Sequence, residues 1–171
     1  MINELITELE SSIVFKDWKK NNLKSYLSHF FKQVNSEIED KSDWDIGYYN
    51  QENEKVTVFS IDNEGNFILK NTDDVFKKET SVVELLDMGN VKLNFPEAVE
   101  KFKELIPKEF SAEALMLGDG FVILQCLNQK TTWNLTLITK KLTMINLKIS
   151  SQEGKLISKD EVNFLQQGPT A

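Results

Sequence analysis

The sequence predicts an α+β protein in which antiparallel sheet packs against helices, arranged as two related helix-plus-sheet units. Three observations point there. Apolar residues recur at helical spacing before Ser42 and again after Asn94, and alternating apolar runs follow Trp44 and Gly120. Trp44 also precedes Gly65 by the same number of residues as Trp133 precedes Gly154. Each Trp opens an alternating run and each Gly sits in a similar turn, Asn63-Glu64-Gly65-Asn66 and Gln152-Glu153-Gly154-Lys155. The echo reads as one small sheet unit used twice. The expected division is N-terminal helices over 1–41, a first sheet unit and connector over 42–90, and a second unit with a short C-terminal helix over 91–171. Together they make one compact protein of 171 residues.

Ile2, Leu5, Ile6, Leu9 and Ile13 fall on one helical stripe, and a second stripe runs through Leu23, Leu27, Phe30, Phe31, Val34 and Ile38. The spacing predicts two amphipathic helices broken at Asn21-Asn22, the second ending near Lys41. Trp44, Ile46 and Tyr48 alternate as a strand, Asn50 to Glu54 read as a hairpin loop, and Val56 to Ile61 and Phe67 to Leu69 supply two more strands. Asn71 to Asn90 reads as a connector whose apolar cluster is Val82, Val83, Leu85 and Leu86. Asn94-Phe95-Pro96-Glu97 is an Asn-headed capping box, and Phe95, Ala98, Val99, Phe102, Leu105 and Ile106 form a helical stripe that Pro107 is expected to stop. Strands are then expected over Ala114 to Leu117, Phe121 to Leu127, Thr132 to Ile138 and Thr143 to Ile149, with Gly118-Asp119-Gly120 as a hairpin turn. Ser158-Lys159-Asp160-Glu161 has the form of a second capping box. It predicts a short C-terminal helix through Gln166, ended by Gly168-Pro169.

A helix containing Glu97-Ala98, a hairpin, a Trp-led strand and a strand ending in the Gly turn Ile149-Ser150-Ser151-Gln152-Glu153-Gly154-Lys155-Leu156 together resemble the PepSY domain. The resemblance covers about Val91 to Ile157, with the Trp44 to Leu69 region as a shortened partner unit. It implies a small, non-catalytic helix-on-sheet module of the kind found in peptidase propeptides and in free-standing binding or inhibitory units.

The formal net charge of −7, without long runs of like charge, argues against nucleic acid or an anionic membrane as partner. Lys16, Lys19, Lys20 and Lys24 around Trp18 read as a solvated helix face. Cys126, the single cysteine, excludes an intrachain disulfide and reads as a buried strand thiol. The acidic start Met1-Ile2-Asn3-Glu4 lacks signal-peptide character, and no apolar run approaches the roughly 18 residues of a membrane span. A cytoplasmic location is therefore expected.

No residue set here assembles a reaction. His29, the lone histidine, has no nucleophile motif beside it, and one His with one Cys cannot complete a zinc shell. Asp62, Glu64, Asp73 and Asp74 lack calcium-loop order and read as turn carboxylates. Gly118-Asp119-Gly120 lacks the Lys and third Gly of a phosphate loop. No cofactor, metal or catalytic residue is expected. The expected function is non-enzymatic binding of a protein or peptide, with Trp44, Tyr48, Tyr49 and Trp133 as candidate partner-binding residues. The alternatives are a small hydrolase or ligand-binding enzyme with an Asp/Glu site, and self-association as a homodimer through an apolar edge strand such as Phe121 to Leu127.

Overall fold

In the computed structural model, which describes residues 1–75 and 82–165, the strands form one eight-stranded antiparallel sheet in the order β4-β3-β2-β1-β5-β6-β7-β8. The chain enters through helices α1 (Ile2–Ser11) and α2 (Ile13–Lys20) and crosses the sheet centre as β1 (Ser25–Val34). It then meanders outward through β2 (Asp45–Asn50), β3 (Lys55–Ile61) and β4 (Phe67–Asp74). After the connector, a 3-10 turn (Met88–Asn90) leads to α3 (Phe95–Glu109) and a second 3-10 turn (Ala112–Leu115). The chain returns to the centre as β5 (Leu117–Leu127) and meanders the other way through β6 (Lys130–Thr139), β7 (Thr143–Ser150) and β8 (Leu156–Asn163).

The expectation of two helix-plus-sheet units is corrected by the pairing of β1 with β5, which runs from His29↔Gln125 to Val34↔Gly120 and makes the sheet continuous. The sequence echo maps onto it as follows: Trp44 lies just before β2 and Trp133 within β6, while Gly65 and Gly154 take positive φ in the β3–β4 and β7–β8 turns.

β1 is the segment expected as the second helix. Its Phe30 is buried against Ile46 and Leu124 on one face, while Phe31 stacks on Phe121 on the other at 5.5 Å between centroids. A strand with apolar residues on both faces is satisfied only in a sheet interior, and aromatic and β-branched content favours that state over a helix. For the same reason Phe121 to Leu127 is no edge: it belongs to β5, paired on both sides.

Three further expectations are corrected. Gly118-Asp119-Gly120 lies inside β5, where pairing with β6 slips between Leu117 and Gly120; a Cβ at Gly120 would stand 1.9 Å from the Thr136 carbonyl oxygen, so glycine permits a close backbone approach rather than a turn. Pro107 lies within the last turn of α3 and the helix runs on to Glu109, because a proline there forfeits only one backbone hydrogen bond near an end that frays anyway. The segment Ala112 to Leu115 is a 3-10 turn, so the strand expected from Ala114 begins only at Leu117.

The Ser158 box does not start a helix. Ser158 to Glu161 belong to β8, paired to β7 from Thr143↔Asn163 to Ile149↔Leu156, and backbone pairing along that whole length outweighs one local cap. Gly168-Pro169 lies outside the described residues.

The helices share one face of the sheet. Leu9 of α1, Phe15 of α2, and Ala98, Val99, Phe102 and Ile106 of α3 form one buried cluster with Phe30, Ile46, Phe59, Leu124, Trp133, Leu135 and Leu147. The capping box at Asn94 forms as read: its side chain accepts from Glu97 N–H at 2.9 Å and the Glu97 carboxylate accepts from Asn94 N–H at 2.8 Å. This cap fixes where α3 starts over the sheet.

Candidate aromatic pocket at Lys32

Strand alternation places Lys32 on the helix-covered face, between the inward residues Phe30 and Val34. It is 6% exposed. A buried ammonium needs compensation, and two groups supply it. Asp40, in the loop that returns from β1 and bridges back to Val34, accepts a hydrogen bond from Lys32 Nζ at 2.8 Å. The ring of Trp44 receives the same ammonium at 4.7 Å from its centroid, with Phe95 at 5.6 Å.

Around that ammonium the aromatic side chains converge. Trp44 lies 5.2 Å from Phe95 and 6.1 Å from Trp133, and Phe95 lies 5.8 Å from Trp133, centroid to centroid. Trp133 is fully buried, and its indole N–H donates to the Leu93 carbonyl at 3.1 Å. The N–H groups of Lys92 and Leu93 both donate to the Ser151 carbonyl, at 3.0 and 2.7 Å. These bonds pin the chain leading into α3 onto the β6–β7 end of the sheet, so one wall of the site is rigid.

Between this wall, the start of α1 and the Asp40 loop lies a pocket of about 590 Å³. Its floor is Lys32, Trp44 and Trp133; its sides are Leu5 of α1, Met88, Val91, Leu93 and Phe95. That volume falls within the range of small-ligand sites, and a mostly apolar lining with few polar groups is their usual composition. Asp40 is the one carboxylate among its described lining residues, so the convergent carboxylates of an Asp/Glu site do not meet here.

Of the four residues singled out from sequence, the structure brings Trp44 and Trp133 together in this pocket and places the other two elsewhere. Tyr48 lies beneath α2, 4.9 Å from Phe15 and 5.8 Å from Trp18, and donates to the Glu10 carboxylate at 2.9 Å. Burial first, and the neighbouring Glu10 second, push its phenol well above the ordinary range. Tyr49 is on the opposite face, edge-on to Tyr26 at 5.6 Å. Sequence reasoning missed Lys32, Asp40 and Phe95 as site residues. The signal was present in part: read as a strand, Phe30-Phe31-Lys32-Gln33-Val34 puts the lysine on the same face as two core residues.

The remaining candidates are structural. Lys19 donates to the Ser25 carbonyl at 2.7 Å, and Lys20 and Lys24 pair with Asp17 and Glu52, so these three lysines around Trp18 are committed to their own surface. Asp62 accepts from the N–H groups of Glu64 and Asn66, both at 2.9 Å, and these bonds hold its carboxyl below the usual range. No group of three or more metal-ligating side chains occurs among the described residues. Ser28 donates to the Gly47 carbonyl at 3.0 Å, and its Oγ lies 3.0 Å from His29 Nδ1. The Cys126 thiol is half-buried and pushed up, by desolvation and then by Glu84, away from the reactive thiolate.

No helix among the described residues is long and apolar enough to cross a membrane. No protein-family model matches the chain. A search of curated proteins finds no match. Among solved structures, a candidate lipoprotein from Clostridium difficile 630 is similar to this chain at 11% identity and a TM-score of 0.48, covering 85% of this chain and 88% of that one.

Proposed function

We propose that this protein is a non-catalytic binding module that holds apolar side chains of a peptide or protein partner in the pocket between α1 and α3. The aromatic convergence of Trp44, Phe95 and Trp133 around about 590 Å³ of space carries the reading. Aromatic surfaces supply large contact area at low cost in side-chain entropy, and Trp is enriched among the residues that carry most of the binding energy at interfaces. The PepSY-like order of Val91 to Ile157 is in keeping with a binding role and enters the proposal only as a likeness.

The test follows the three indole N–H signals by NMR while short peptides with Phe, Leu or Gly as their apolar or null residue are titrated in. Phe and Leu peptides should shift the Trp44 and Trp133 signals and leave Trp18, which lies in the separate cluster with Phe15 and Phe59, unmoved. Apolar peptides that leave Trp44 and Trp133 unshifted at millimolar concentration would remove the proposal.

A further inference from the structure

The chemistry at the floor of the pocket goes beyond apolar contact. An ammonium carries three N–H donors. Among the described residues Lys32 Nζ donates one hydrogen bond, to Asp40, and otherwise lies over the Trp44 and Phe95 rings, so the bond to Asp40 is the one an entering acceptor would replace. The ionisable side chains lining the pocket are Lys32, Lys92 and Asp40, so the site carries an excess of one positive charge.

The two members of the ion pair are unequal. The Lys32 side chain is 8% exposed while that of Asp40 is 57% exposed. The ammonium is fixed in the floor, and its partner stands at the rim, where water can take it over at little cost. A carboxylate arriving on a ligand would meet a desolvated cation held by one hydrogen bond, and Asp40 would move out to solvent.

Resting on the binding role proposed above, we infer that the pocket takes a carboxylate carried on an apolar body, with Lys32 as the receiving cation and Asp40 as the resident carboxylate that the ligand displaces. Two sources present that chemistry: a small free acid, and the C-terminus of a peptide ending in an apolar residue. The aromatic walls hold the apolar body in either case, and charge-assisted hydrogen bonds from Lys32 hold the acid.

The experiment compares 3-phenylpropionate with 3-phenylpropionamide, and Gly-Gly-Phe as free acid with its C-terminal amide, on the full chain, reading Kd from the Trp44 and Trp133 indole signals. Each acid that belongs to the site should bind at least tenfold more tightly than its amide. Lys32→Met should abolish that preference, bringing the ratio of acid to amide Kd to about one. Asp40→Asn should widen the preference for acid over amide several-fold, because it removes the carboxylate that competes for Lys32.

Preference for phenylpropionate alone would assign a small acid, and preference for the tripeptide acid would assign a peptide terminus. Acids and amides binding equally would overturn the carboxylate inference while the binding role stands. An acid preference that persists in Lys32→Met, or one that does not widen in Asp40→Asn, would overturn it as well. Failure of acids and amides alike to shift either signal would remove both the inference and the role it rests on.

Discussion

At the scale of single residues, the most testable environment after Lys32 is that of His29. Its ring lies over Gly47 on the neighbouring strand, so close that a Cβ at Gly47 would fall 2.1 Å from His29 Cε1. Burial disfavours the imidazolium and lowers its pKa from the ordinary 6.5, with the Asp45 carboxylate opposing that shift only in part. A base whose folded pKa is depressed binds fewer protons folded than unfolded. Its contribution to stability is therefore complete above 6.5 and is lost as pH falls from there through the folded value. As the single histidine, it gives one unambiguous imidazole titration by NMR. That titration is expected below 6.5, and Tm is expected to fall on acidification below pH 6.5 more steeply in the native protein than in His29→Gln. A midpoint at or above 6.5, or parallel Tm curves, would show that the ring is solvated.

At the scale of elements, legibility tracked whether one periodicity held alone. β2, β3, β6 and β7 were readable because their inward residues, such as Ile46, Phe59, Leu135 and Leu147, alternate with less apolar ones. α3 was readable because a capping box and a one-sided stripe agreed. β1 was not, since Leu27, Phe30, Phe31 and Val34 match a helical stripe as well as a strand with two apolar faces, and only the presence of β2 and β5 on either side decides between them. Lys32 and its pocket went unseen for the same reason: a lysine on a presumed helix is solvated by default. β5 hid its start behind Gly118-Asp119-Gly120, and here the physical cause can be tested. The atom a Cβ at Gly120 would strike is backbone, at 1.9 Å, with Leu137 Cα at 2.8 Å, so no rotamer change relieves it. Gly120→Ala should therefore cost about 3 kcal/mol in urea denaturation, near the upper end of overpacking effects. A loss under about 0.5 kcal/mol would mean that the segment is a turn with room to spare.

At the scale of the molecule, the question is what makes the two outward meanders a single folding unit. The β1–β5 pairing joins them at the centre of the sheet, and the aromatic cluster crosses the same line: Phe30 and Trp44 come from one side, Phe95 and Trp133 from the other. Cutting the chain in the connector would leave β1 with an unpaired apolar edge and Trp133 without Trp44, with only Phe95 still packed on it. The far edges are different, since β4 carries Lys70, Asp73 and Asp74 and β8 carries Lys159, Asp160 and Glu161, charges that discourage edge-to-edge association. The consequence is that residues 1–75 and 82–165, made as separate fragments, should each give collapsed amide spectra, while the full chain unfolds in one cooperative transition. Mixing the fragments should restore dispersed signals, including the indole shifts of Trp44 and Trp133, because the missing partner of each lies on the other piece. If either fragment alone gave a dispersed spectrum and its own cooperative melt, the central pairing would be an interface between independent domains. The Lys32 pocket would then lie between two folding units instead of inside one core, and ligand binding should shift the docking equilibrium of the fragments instead of the Tm of a single transition.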